Sequence, residues 1–167
     1  MKLLVRAVAF LALAALGVWL WLVLFPSPET VVRHHLEKLA RRASFSADEG
    51  ELVRIAGAQR VGDFFADHVD IHIDVPGHAR HEFGGRDDIT QAAAAARHSL
   101  KSLDVKFIDI NVTVNADGQT ALADLTLEAR IGGESDLIVE ELQIALQQVN
   151  GDWLITRLQT VRVVSPN

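Results

Sequence analysis

The sequence predicts an α+β domain, a bent antiparallel or mixed sheet wrapped by three helices into a cone, behind one N-terminal transmembrane helix. Three observations predict it. An uncharged apolar run fills residues 7–25. Residues 68–75 alternate apolar and polar without a fault. The turn signals Asp117-Gly118, Gly132-Gly133 and Asn150-Gly151 divide the last third of the chain into four strands.

The apolar run comes first. At 1.5 Å per residue it makes roughly 28 Å of helix, about the thickness of a bilayer's hydrocarbon core. Trp19 and Trp21 stand near its outer end, where indole rings favour the headgroup boundary, and Pro26 and Pro28 stop it. A cleaved signal peptide fits less well, because the run is long and ends in Trp19-Leu-Trp-Leu-Val-Leu-Phe25 with no small residues for a cleavage site. The chain therefore divides into a basic tail (1–6), a transmembrane anchor (7–25), a linker and helix start (26–30) and one domain (31–164). Lys2 and Arg6 favour a cytoplasmic N-terminus, which places the domain outside the cytoplasm, on the periplasmic side of the cell membrane.

Charge and composition narrow the chemistry. Of 16 Lys and Arg, two lie in the tail, leaving 14 against 22 Asp and Glu, a net of −8. So acidic a domain repels phosphate backbones, and no nucleic-acid partner is expected. The absence of cysteine excludes disulfides, thiolate nucleophiles and cysteine-bound metal centres. No Gly-rich phosphate loop, nucleophile elbow or His-Glu-x-x-His helix is present, and no cofactor is expected.

Ser27-Pro28-Glu29 opens a helix as N-cap, first-turn proline and first-turn acid, and Val32, Leu36, Leu39 and Ala43 form its apolar stripe. Ser46-x-x-Glu49 reads as a capping box for a second helix, with Leu52, Ile55, Ala56 and Phe64 as its inner side. The strand at 68–75 puts Val69, Ile71, Ile73 and Val75 on one face and His68, Asp70, His72 and Asp74 on the other. Pro76-Gly77 turns the chain into a short return strand at 79–83. Asp87-Asp88 starts a third helix, whose alanine run at 92–96 suits close packing against the sheet. Arg86 is expected to brace that start through hydrogen bonds. The alternation changes phase between Phe107 and Ile108, which reads as a β-bulge that bends the sheet. Strands near 121–131, 137–149 and 153–163 follow.

This succession, with Phe64-Phe-Ala-Asp-His-Val-Asp-Ile, Gly85-Arg-Asp-Asp-Ile89 and the Asn150-Gly-Asp-Trp-Leu-Ile155 hairpin, resembles the nuclear transport factor two-like superfamily. Its SnoaL-like and ketosteroid-isomerase-like members, with their cystatin-like α+β roll, look nearest, and the likeness covers about residues 28–164. Such a fold hosts enzymes, ligand binders and interaction modules alike. In ketosteroid-isomerase-like members a carboxylate ending the first strand is the base, and the resemblance assigns that place to Asp74. The oxyanion hole there is a Tyr on the first helix and a protonated acid on a late strand. His35 stands near the Tyr position and Leu142 near the acid position, so the set is incomplete. The resemblance thus implies a non-catalytic, membrane-anchored module for an envelope protein partner or a small apolar ligand, like the scaffold subunits of type IV secretion systems that hang such a domain from one helix. Members also pair through the sheet face, which suggests a homodimer. The alternative is an isomerase or dehydratase using Asp74 and His35 in the cone.

Two further readings stay open. His35 is either a hydrogen-bonded core histidine or, if it lines the cone, the natural proton-transfer group. His68, His72, His78 and His81 fall in one window beside Asp70, Asp74 and Glu82, a set that either meets on a metal or makes an exposed, histidine-rich strand and loop. Asp124, Glu128, Arg130, Glu140 and Glu141 suit cross-strand charge pairs.

Overall fold

A computed structural model describes residues 16–17, 26–73, 81–134 and 136–161. Its elements are α1 (Pro28–Ala43), α2 (Glu51–Gly62), β1 (Phe65–Ile73), β2 (His81–Phe83), α3 (Arg86–Ser99), β3 (Leu103–Val114), β4 (Thr120–Ile131), β5 (Leu137–Val149) and β6 (Asp152–Thr160). The six strands form one sheet in the order β2-β1-β6-β5-β4-β3. Strands β3 to β6 are antiparallel neighbours, whereas β1 lies parallel to β6 and makes the sheet mixed. Of the predicted anchor only Leu16 and Gly17, both helical, fall within the described residues. Among the described residues no helix is long and apolar enough to cross a membrane.

Local chemistry explains the elements. Ser27 accepts a hydrogen bond from the Thr30 N–H and caps α1 as predicted, with Val32, Leu36, Leu39 and Ala40 buried. The core lies between that stripe and the inner sheet face, where Ala121, Ala123 and Leu125 of β4 meet Leu146, Ile144 and Leu142 of β5 in register. Trp153, Ile155 and Leu158 of β6 and Val69 and Ile71 of β1 complete it. The Asn150-Gly151 turn has φ of 53° and 94°, and Gly118 and Gly133 also have positive φ, as hairpin turns demand. The bulge in β3 lies just beyond the predicted phase change: pairing slips between Ile108 and Asn111, with Asp109 at φ 52°.

One expectation about α2 fails, and its predicted inner side holds only at Phe64, which is buried. Its N-cap is Gly50, without a side-chain hydrogen bond, so Ser46 and Glu49 form no capping box. Its buried residues are Gly57, Ala58, Val61 and Gly62, while Leu52, Val53 and Ile55 are exposed, Leu52 at 83%. At Gly57 the guanidinium of Arg97 on α3 occupies the space where a side chain would stand, so only glycine fits there. Arg97 is 4% exposed. It donates to Glu49 Oε2 at 3.0 Å and to the Arg42 and Ser44 carbonyls at 2.6 and 3.5 Å, and it stands 4.9 Å over the Phe45 ring. A cation thus neutralises the carbonyl end of α1 and joins it to α2 and α3. Arg54 adds a bond of 2.8 Å to the Arg97 carbonyl.

Candidate functional site

His35 is the sequence-selected residue that the structure places most informatively. Its ring lies 4.7 Å from that of Phe64, centroid to centroid, at 51°. Its Nε2 is buried with no hydrogen-bond partner. Burial first, and the charge of Lys38 second, lower its pKa from 6.5, while Asp152 pulls the other way. The imidazole is therefore kept neutral, at a position where native proteins rarely leave a polar atom unsatisfied.

His35 opens onto a cavity of about 400 Å³, the size of a small-molecule site. Three segments build its wall. One side of α1 supplies His35, Lys38 and Arg42, which are three and then four residues apart and so lie along one face. The end of α2 supplies Arg60, Asp63 and the following Phe64, and the start of β6 supplies Asp152, Trp153 and Leu154. Among the described residues none of these five charged side chains enters an ion pair. The Arg42 backbone is held at its carbonyl by Arg97, so the buried guanidinium also fixes one wall of the cavity.

Asp74 and His78 lie outside the described residues. Within the described residues β1 runs away from the His35 end as far as Ile73. Phe65, next to the Phe64 that His35 touches, pairs with Ile155, while His72 pairs with Gln159. Those four steps of β6 are roughly 13 Å of strand between the levels of Phe65 and His72. Leu142, at the position where the resemblance would want an acid, faces inward opposite Leu125.

The histidine window resolves in part. His68, Asp70 and His72 are exposed, as the alternation requires. His72 Nδ1 lies 3.0 Å from Asp70 Oδ1, and the other carboxylate oxygen lies 3.4 Å from Arg157 Nε. Among the described residues no group of three or more His, Asp or Glu is placed to hold a metal. Across the outer sheet face Gln159 donates to Gln143 and Gln143 to Asp124, each at 2.9 Å. Arg86 donates to the Phe65 carbonyl at 2.9 Å and lies 3.2 Å from Asp67, fastening the start of α3 to β1. Nothing in the sequence marks Arg60 or Asp152 as lining a site; Lys38 and Arg42 had one signal, their i+3 and i+7 spacing from His35.

The fold is shared with solved proteins described as NTF2-like or as having a cystatin-like fold. A protein of unknown function from Pseudomonas putida, described as NTF2-like, superposes with a TM-score of 0.60 at 13% identity, over 79% of this chain and 84% of its own. A putative scytalone dehydratase from Novosphingobium aromaticivorans gives 0.55 at 14%, over 81% and 87%. A chain of the yeast deubiquitinase Ubp3 and Bre5 cofactor complex gives 0.53 at 12%, over 81% and 95%. At such identities the likeness establishes the fold alone. No family model matches the sequence, and no curated protein matches it.

Proposed function

We propose that this chain is a single-pass membrane protein whose extracytoplasmic domain binds a protein partner or a small ligand and does not catalyse a reaction. The observation that carries this reading is the incomplete catalytic set: the buried Leu142, opposite Leu125, stands where the resemblance would want an acid. The uncharged run at 7–25 supports the tether. The outer sheet face, with its lattice of Asp124, Gln143 and Gln159, is the surface offered to a second copy or an envelope protein. Photo-crosslinkers placed at Gln143 and Leu122 of the full chain in native membranes test it. A discrete crosslinked product at both positions is expected; none at either contradicts the binding role of that face.

A second reading, an isomerase or dehydratase with Asp74 as base and His35 as its partner, is favoured by the fold shared with the putative scytalone dehydratase. Because the chain has no cysteine, Asp74→Cys gives a unique point for a spin label. Strong broadening of the His35 imidazole resonances would bring the two together and revive catalysis. An unbroadened His35 ends it.

A further inference from the structure

We propose that the cavity between α1, the end of α2 and the start of β6 is a binding site for a small anion bearing a phosphate or carboxylate group. This rests on reading the domain as a binding module and names the ligand class. Lys38, Arg42 and Arg60 converge on one space of about 400 Å³ without carboxylate partners among the described residues. Asp63 and Asp152 share the wall and leave one positive charge in excess, a local exception on a domain of net −8. The three cations are exposed at the mouth of the cleft, where an anion placed between them gains charge-assisted hydrogen bonds.

Two further features suit a bound anion. His35 Nε2, buried and unpartnered beside the cleft, can donate as the N–H tautomer or as the imidazolium. Phe64 and Trp153, both buried, supply a rigid aromatic wall on one side of the cleft. Arginine in particular recognises carboxylate and phosphate through paired N–H donors, and two of the three cations are arginines.

Position leaves two sources for the same chemistry. Along the α1 axis His35 stands roughly 10 Å and Arg42 roughly 21 Å beyond Pro28, where the tether would leave the bilayer. The anion is therefore a lipid headgroup reaching the cleft or a soluble phosphate or carboxylate.

The test uses the full chain with labelled histidine in zwitterionic phosphatidylcholine nanodiscs, titrated with inorganic phosphate at constant ionic strength. A saturable shift of the His35 imidazole resonances is expected. Arg42→Gln with Arg60→Gln should weaken it by about tenfold or more. Arg33→Gln with Arg41→Gln, neither of which lines the cavity, should leave it unchanged. In nanodiscs containing phosphatidylglycerol, a His35 signal already shifted before phosphate is added assigns the site to headgroups; an unshifted one assigns it to a soluble anion. No saturable shift in either lipid, or a shift indifferent to Arg42→Gln with Arg60→Gln, overturns the proposal. Loss of phosphate binding with the sheet-face crosslinks intact rejects this site alone and leaves the binding-module reading standing.

Discussion

A Cβ added at Gly57 would lie 2.6 Å from Cζ of Arg97, so the glycine on α2 and the arginine on α3 occupy one shared volume. Neither flexible end nor open space is available, because the guanidinium is tied to Glu49 and to the end of α1. Gly57→Ala should therefore destabilise the domain by about 1–3 kcal/mol through overpacking, despite the better helix propensity of alanine. Denaturant midpoints measure this; an equal or higher midpoint contradicts the packing.

Arg97→Met keeps much of the bulk and removes the charge. Glu49 is only partly buried and regains water, so the loss should be about 2–3 kcal/mol, below the range for a fully buried pair. The Arg42 carbonyl is released in the same step, and anion binding in the cavity should weaken with it. Stability within about 0.5 kcal/mol of the parent would show that the clamp is dispensable.

Much of this architecture was legible in the sequence, and the misses share a cause. Period-two alternation gave β1 its faces, and the glycine-centred turns gave the four-strand succession, because these patterns are local. The α1 stripe was legible for the same reason. The inward side of α2 was not, since it is chosen by a side chain 40 residues away on α3. Leu52 and Ile55 looked like core by composition, yet Gly57, Ala58 and Val61 are the buried residues, with Gly57 against Arg97. The cavity was hidden likewise: Lys38, Arg42 and Arg60 each read as an ordinary solvated charge until tertiary packing gathers them.

Titration of His35 makes a prediction with a definite sign. Its native pKa lies below 6.5, so the unfolded chain binds more protons in this range and stability rises with pH. The contribution is complete above the unfolded value and is lost as pH falls from there through the depressed native value. In phosphate-free buffer, wild type should lose stability relative to His35→Gln as pH falls from above 6.5 to below it. A difference between the two that does not change with pH contradicts the buried neutral imidazole.

The β3 bulge offers a backbone test. Asp109 holds φ 52°, a conformation that aspartate tolerates and β-branched residues resist. Asp109→Gly should be neutral or slightly stabilising, while Asp109→Val should cost about 1–2 kcal/mol. Equal denaturation midpoints for the two variants would contradict the left-handed geometry.

Retention at the membrane bears most directly on the account. Membranes from cells expressing the full chain can be washed with alkaline carbonate and the retained protein sequenced from its N-terminus, beside a version beginning at Pro26. The full chain should stay in the washed membranes with Trp19 and Trp21 still attached, and the shortened one should be released. Recovery of the protein in the soluble fraction, trimmed of those tryptophans, would contradict the tether and the binding role built on it.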